Sequence, residues 1–310
     1  VRALVTGATG FVGTYLVAAL EAGGDTVLGC GGPRDDRALP IDLSDPSSIR
    51  AAFDLAQPDI VFHLAARTFV PDSFASPHET YAANVLGTAN VVQAMRDHMR
   101  ETASRVRLVF TSSAEVYGTH APREYPLRET AELLPPNPYA ASKAAAEVLL
   151  LSEMRAYGLD VVIARAFNHI GPGQSDRFVV SSFASQLASI AGGAPPILHV
   201  GNLEAKRDFL DVRDVVEAYV ALAERGVSGE IYNVCSGVPH KVSELLRELI
   251  IAAHVPVEVR EDPERMRPSD TPLSYGDNTK LKNATGWEPR IALTRSIRDI
   301  YEAARMKGAP

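Results

Sequence analysis

Residues 5–16 read VTGATGFVGTYL, and the reading of this stretch decides the fold. Before it stands RALV, a short apolar run. After it, FVGTYLVAALEAGG (11–24) carries its apolar residues at helical spacing and ends in two glycines. Gly7, Gly10 and Gly13 therefore lie three residues apart between a strand and a helix. Glycines at such a junction allow a tight turn and close backbone approach, and the N–H groups opening the helix face a pyrophosphate. The context points to dinucleotide binding. The spacing differs by one residue from the commoner G-x-G-x-x-G, so a glycine turn without a ligand is the plain alternative.

The rest of the first half continues the alternation. TVLGC (26–30), DIVFHLA (59–65), RVRLVFTSS (105–113) and LDVVIARAFN (159–168) are short β-rich runs. ETYAANVLGTANVVQAMRDH (79–98) and PYAASKAAAEVLLLSEMRAYG (138–158) are long and helical. Strands alternating with helices imply βαβ units, and hence a doubly wound, Rossmann-type parallel sheet in an α/β fold. After Asn168 the pattern changes to a Gly/Pro loop, FNHIGPGQSD (167–176), followed by helices and short strands. The expected organisation is a dinucleotide-binding domain of residues 1–167 plus about 206–235, and a smaller α/β substrate domain of 168–205 plus 236–310.

Composition narrows the partners. The chain has 310 residues, 46% hydrophobic and 22% charged, with a formal net charge of −7 and no long run of one sign. A nucleic-acid partner would need a basic surface, so none is expected. No run of eighteen apolar residues suggests a membrane span. Cys30 and Cys235 cannot build a disulfide framework, and no leader-like segment opens the chain, so the expected location is the cytoplasm.

Cofactor choice turns on the segment after the second strand. NAD sites usually place an acid at that strand's end to hold the ribose. Here TVLGC runs into GGPRDD, where Arg34 is positioned to meet a 2′-phosphate and Asp35 and Asp36 are the acids that would bend back to a ribose. NADP(H) is favoured, with NAD(H) as the alternative. Asp42 and Leu43, after the short run PIDL, are expected beside the adenine.

PYAASK places Tyr139 and Lys143 four residues apart, on one helix face. A cationic Lys beside a phenol is expected to lower the Tyr pKa, so that Tyr139 exchanges a proton with a substrate oxygen. Lys143 is also placed to bond the nicotinamide ribose. Ser113, ending a strand, is the second donor to the same substrate oxygen. His63, in a buried strand, is expected to be structural.

Gly7, Gly10 and Gly13, HLAA (63–66), Asn84 in ANVLGT, TSSAEVYG (111–118) and the Tyr139/Lys143 pair together resemble the extended short-chain dehydrogenase/reductase family of nucleotide-sugar epimerases, dehydratases and reductases. The resemblance spans essentially the whole chain. It implies a catalytic set of Ser113, Tyr139 and Lys143, with Asn84 supporting the helix that carries them. It implies cofactor contacts from Thr9, Phe11, Val12, Leu64, Ala65, Ala66 and Thr111. FNHIGPGQ (167–174), VGNLEAKRDFLDVRDV (200–215), YNVCSG (232–237) and MRPSDTP (266–272) are similar to the GDP-4-keto-6-deoxy-mannose reductases of that family. By that likeness Thr68, Asn168 and Gly173 border the sugar diphosphate. Arg207 and Arg267 take the diphosphate or nucleotide ribose, and Val179 and Phe183 lie toward the guanine. An ion pair of Arg207 with Asp208 or Asp211 is the alternative for Arg207, and a helix core the alternative for Val179 and Phe183. TGWEPRI (285–291) is a shared closing motif and is expected to be structural. The family also implies a homodimer, through helices near 87–99 and 139–157.

Glu115 separates two chemistries. The family's 4,6-dehydratases carry Thr, then Asp or Ser, then Glu at positions 113–115, with the Glu removing a carbon-bound proton. Here the residues are Ser113, Ala114 and Glu115, and the alanine cannot donate. The Arg-rich segment of GDP-mannose dehydratases after the second strand is also missing. The expectation is NADP(H)-dependent reduction of the C4 ketone of GDP-4-keto-6-deoxy-D-mannose to GDP-D-rhamnose, or to its epimer GDP-6-deoxy-D-talose, with Glu115 as a pocket residue. The alternatives are a GDP-mannose 4,6-dehydratase, a nucleotide-sugar C4 epimerase, and a non-enzymatic cofactor-sensing protein.

Overall fold

The computed structural model describes residues 1–33, 36–266 and 271–307. The chain opens with β1 (Arg2–Thr6), the glycine turn, α1 (Phe11–Ala22) and β2 (Thr26–Gly31). β3 (Leu39–Pro40), α2 (Pro46–Ala56) and β4 (Ile60–His63) follow. The α2 helix, in DPSSIRAAFDLA, starts on an Asp45 cap whose carboxylate accepts from Ser47 N at 2.9 Å, with Pro46 in the first turn.

The long helix expected over 79–98 is broken. α3 (Val70–Ala75) and α4 (Pro77–Tyr81) lead into a π-helical turn, Ala82–Leu86, before α5 (Gly87–Thr102). Pro71 and Pro77 each open a new helix, because proline fits a first turn and interrupts an interior one. Then come β5 (Arg107–Ser113), α6 (Pro138–Tyr157) and β6 (Asp160–Ala166).

The second half comprises β7 (Asn168–Ile170), α7 (Val179–Ala191), β8 (Ile197–Val200), β9 (Lys206–Asp211), α8 (Val212–Arg225), β10 (Ile231–Val234), β11 (Pro239–Lys241), α9 (Val242–Ala253), β12 (Glu258–Glu261), β13 (Leu273–Ser274), α10 (Thr279–Thr285) and α11 (Leu293–Lys307). Among the described residues, seven parallel strands form one sheet in the order β3-β2-β1-β4-β5-β6-β10. The order reverses at β1, as in a doubly wound sheet, and ligands bind where the strands' carboxyl ends diverge.

Strand alternation sorts the core into two layers. Ala3, Val5, Val109, Val162 and Ala164 pack with Leu16, Val215 and Tyr219 of α1 and α8. Leu4, Leu108, Phe110, Val161 and Ile163 pack with Phe53, Met95 and Leu150 of α2, α5 and α6. Both faces of the sheet are covered, so the strands read as continuous apolar runs. Each fully buried Val, Leu, Ile, Phe or Met of these layers contributes about 1.5–3 kcal/mol.

β9 takes β7 and β13 as parallel and β11 as antiparallel neighbours, building a small sheet beside the large one. Phe183, Leu187, Leu198, Leu249 and Ile300 form its core with α7, α9 and α11. The TGWEPRI motif ties the two units together. Trp287 Nε1 donates to the Asp214 carbonyl at 3.0 Å, and the Asp214 carboxylate accepts from the Arg290 and Ile291 amides at 3.1 and 2.9 Å. No helix among the described residues is long and apolar enough to cross a membrane.

Candidate active site

The glycine turn is built for close approach. Gly7 has φ +74°, and a Cβ there would stand 2.9 Å from Ala65 N; a Cβ on Gly13 would stand 2.1 Å from Gly7 O. The turn therefore presses against Ala65, behind β4. Gly10 caps α1 without a side-chain hydrogen bond, so no side chain claims the first N–H groups of this twelve-residue helix. Thr9, Phe11 and Val12 are half-buried around the turn, as are Leu64, Ala65 and Ala66 opposite it. A glycine cradle below a helix N-terminus fits a dinucleotide's pyrophosphate.

After β3, Asp42 turns back on its own loop and accepts from Ser44 N and Oγ at 2.8 and 2.7 Å. Leu43 packs where Gly87 has no side chain, since a Cβ there would lie 2.8 Å from Leu43 Cβ. Asn90 Nδ2 holds the Leu43 carbonyl at 2.8 Å. Arg34 and Asp35 lie outside the described residues. Arg37, which the sequence did not single out, donates to the Thr9 carbonyl at 3.4 Å, bringing a guanidinium to the glycine turn.

His63 is buried between Thr6 Oγ1 at 2.7 Å and Thr88 Oγ1 at 3.0 Å. Burial, aided by the Lys143 charge, pushes its pKa down to about 3, so it stays neutral. It ties β1, β4 and α5 together.

The end of β5 meets the first turns of α6. The Ser113 side chain acts on the Tyr139 phenol and lowers its pKa, while Glu115 raises it. Lys143 Nζ donates to the Thr111 carbonyl at 2.8 Å and sits 4.8 Å from the centre of the Phe110 ring. Thr111 Oγ1 in turn donates to the His63 carbonyl at 3.1 Å. Ser113, Tyr139 and Lys143 all lie below a tenth exposed. One expectation is corrected here. The Tyr139 pKa is raised, to about 12, rather than lowered, because burial outweighs the effect of Ser113. Burial acts oppositely on the ammonium and brings Lys143 down to about 8, with the Glu147 carboxylate opposing it.

Asn84 joins three elements at once. Its Oδ1 accepts from Arg67 N at 2.8 Å, and its Nδ2 donates to the Arg67 carbonyl at 3.0 Å and to Ser142 Oγ at 2.9 Å. The π-helical turn directs this amide at α6 and the 64–68 loop, and such turns gather at functional sites.

Glu115 sits in a short 3₁₀ turn, Ala114–Tyr117, capped by Ser113 Oγ, which accepts from Glu115 N at 3.2 Å. Asn137 Nδ2 donates to its Oε2 at 3.4 Å, while Asn137 Oδ1 caps α6 by accepting from Ala140 N at 2.8 Å. Glu115 is thus linked to the start of the Tyr139 helix. Ala114 beside it is buried and apolar.

Thr68 and Asn168 are exposed and Gly173 adopts φ +88°. Phe183 lies in the core of the smaller unit, and Val179 packs against that core from the first turn of α7. Arg207 does not join Asp208, whose carboxylate accepts from Ser236 N and Gly237 N at 2.7 and 2.9 Å; it donates instead to the Lys206 carbonyl at 3.0 Å, and its charge acts on Tyr125. Asp211 caps α8 and pairs with Arg213. Arg267 lies outside the described residues. Two long-range bridges are not legible in the sequence. Phe11 stacks on His169 with centroids 6.1 Å apart, and Tyr15 Oη donates to the Pro172 carbonyl at 2.8 Å. Arg177 pairs with Asp72 at 2.7 Å while lying 3.7 Å above the Phe69 ring. Both join residues over a hundred positions apart, which periodicity does not reveal.

Comparison with known proteins gives the family. Residues 4–300 match the family model described as GDP-mannose 4,6 dehydratase. The GDP-6-deoxy-D-mannose reductase of Pseudomonas aeruginosa is 40% identical over 304 residues, covering 96% of this chain and 95% of that protein. The UDP-glucose 4-epimerase of Mycolicibacterium smegmatis is 34% identical, covering 99% of each chain. A solved structure of RMD from Pseudomonas aeruginosa complexed with NADPH superposes with a TM-score of 0.89 at 38% identity, covering 99% of this chain and 100% of that one.

Proposed function

The chain belongs to the GDP-mannose 4,6-dehydratase family of nucleotide-sugar enzymes, and on that premise we propose that it is an NADPH-dependent reductase of GDP-4-keto-6-deoxy-D-mannose, forming GDP-D-rhamnose. The observation that carries the reading is the Ser113–Ala114–Glu115 turn. Its middle residue has no group to protonate a departing hydroxyl, and Glu115 is linked to the cap of α6. A 4,6-dehydration needs an acid for the departing hydroxyl and a base for a carbon-bound proton, whereas a ketone reduction expels no hydroxyl and removes no carbon-bound proton.

What a reduction does need is a donor to the carbonyl oxygen that stays protonated until charge develops on it. Burial keeps the Tyr139 phenol in its acid form across neutral pH. Ser113 stands beside the phenol and offers a second hydrogen bond to the same oxygen. Lys143, fixed by the Thr111 carbonyl, brings a positive charge to the developing alkoxide and a donor for the nicotinamide ribose. When bound, the reduced nicotinamide supplies hydride to the ketone carbon. The glycine turn holds the pyrophosphate, and Arg34 and Arg37, both after β2, are the cations suited to a 2′-phosphate. Thr68, Asn168, Gly173, Arg207 and Arg267 take the sugar diphosphate, with Asn84 bracing the 64–68 loop and α6.

The enzyme works in the cytoplasm as a homodimer. Support for the dimer comes from α6 and the turn before α5, which leave Val148 and Leu86 about two-thirds exposed. The test of the function is a paired assay on one preparation, with GDP-4-keto-6-deoxy-D-mannose plus NADPH in one tube and GDP-mannose without reductant in the other. Stoichiometric NADPH loss in the first tube alone is expected, with a D-rhamnosyl product. A talosyl product revises the stereochemistry, and a 4-keto product in the second tube makes the enzyme a dehydratase.

A further inference from the structure

Three side chains on successive turns of α6 reach the end of β5. Tyr139 meets Ser113, Lys143 meets the Thr111 carbonyl, and Glu147 accepts from the Ser112 hydroxyl. The spacing of four residues puts all three on one helix face. The reduction employs the first two and leaves Glu147 without a role.

Glu147 is 2% exposed and takes Nε and Nη2 of Arg165 at 3.0 and 2.6 Å. Arg165, 3% exposed, lies opposite Ser112 in the β5–β6 register. Its Nη1 donates to the Tyr117 hydroxyl at 3.0 Å and the Glu129 carbonyl at 3.1 Å. The guanidinium thus bridges α6 to the turn after β5, and the carboxylate it holds lies one helical turn from Lys143. Apolar residues replacing a buried ion pair are often neutral or stabilising, so stability alone does not account for the pair.

Building on the assignment of Tyr139 and Lys143 as the proton-transfer pair, we propose that Glu147, anchored by Arg165 and Ser112, is a positioning residue that keeps Lys143 charged and aimed at the Thr111 carbonyl and the cofactor ribose. The groups around the Lys143–Tyr139 pair admit this role. α6 contributes Tyr139 and Glu147, β5 the Phe110 ring, the Thr111 carbonyl and Ser113, β4 the neutral His63, β6 Arg165, the turn after β5 Glu115, and α8 Tyr219. Glu147 is the carboxylate that acts directly on the ammonium, whereas Glu115 acts on the phenol.

The test is a series of Glu147→Asp, Glu147→Gln and the double variant Glu147→Met/Arg165→Met, which removes both buried charges together. Each is examined for thermal midpoint, for NADPH affinity against pH, and for the pH profile of ketone reduction. The double variant is expected to fold. The basic limb of both profiles should move to lower pH, least for Asp, most for Gln and by an intermediate amount for the double variant, with about a tenfold loss of turnover for Gln on the limb well above pH 8, equivalent to one pH unit. A limb at the wild-type position in any folded member of the series overturns the proposal and leaves Glu147 a purely structural residue. Absence of ketone reduction in the wild type would refute the reductase assignment instead, while NADPH affinity against pH still decides the role of Glu147.

Discussion

Replacing Glu115 by Gln is the sharpest perturbation of the site, because two roles for one carboxylate predict losses of different size. In the structure Glu115 Oε2 lies 3.4 Å from Asn137 Nδ2, a long hydrogen bond on a half-buried group. Gln keeps the shape and still offers an oxygen to that amide, so only the charge is lost. A hydrogen bond of this kind is worth about 0.5–1.5 kcal/mol. Since about 1.36 kcal/mol is tenfold in rate, a pocket role allows at most about a tenfold fall in kcat/KM. Removal of a general base would instead cost about a hundredfold to ten-thousandfold. The α6 cap, Asn137 Oδ1 to Ala140 N at 2.8 Å, is untouched, so the thermal midpoint should barely move. The assay is NADPH oxidation with GDP-4-keto-6-deoxy-D-mannose, alongside NADPH affinity. A loss beyond a hundredfold with unchanged NADPH affinity and midpoint would refute the reasoning and make Glu115 a proton-transfer group.

Tyr139→Phe should lower turnover by about a hundredfold to ten-thousandfold while leaving NADPH affinity in place, as steady-state kinetics with fluorescence titration would show. Asn84→Ala strips three hydrogen bonds and leaves Ser142 Oγ, which is fully buried, without its donor. A loss of about 1–3 kcal/mol in chemical denaturation is expected, with weakened turnover as the 64–68 loop loses its brace. His63 is neutral in the fold, its pKa lowered to about 3 from 6.5, so the unfolded chain binds more protons between those values and its contribution to stability falls as pH drops through that window. Denaturation of the wild type and of His63→Phe at pH 7 and pH 4 should show the wild type losing more over that interval. Val148→Glu places a charge on the exposed face of α6, and sedimentation should find a dimer converted to monomer with reductase structure retained; an unchanged dimer would move the interface elsewhere.

Local patterning carried much of the fold. Gly7, Gly10 and Gly13 between a strand and a helix announced the dinucleotide turn, because backbone approach there leaves no room for a Cβ. Strand runs apolar on both faces announced a covered parallel sheet, and Tyr139 and Lys143 share a face through helical spacing alone. The break at Ala82–Leu86 was not legible, since ANVLGT has ordinary helical periodicity and the π turn is held by contacts of Asn84 with Arg67 and Ser142. Nor was α2, whose apolar positions in PSSIRAAFDLA are few, although its Asp-Pro start was a usable signal.

The sequence by itself determined the doubly wound architecture, the glycine turn and the shared helix face of Tyr139 and Lys143, because each is written in short-range spacing. Tertiary structure alone decided their protonation and their supports. The Tyr139 phenol is held as an acid by burial that the neighbouring Ser113 does not overcome, and Glu147 is anchored by Arg165 from a strand eighteen residues on. The bridges from Phe11 to His169 and from Asp72 to Arg177 likewise exist only where distant segments meet. Desolvation and long-range contact depend on what surrounds a residue in three dimensions, and a linear spacing does not record it.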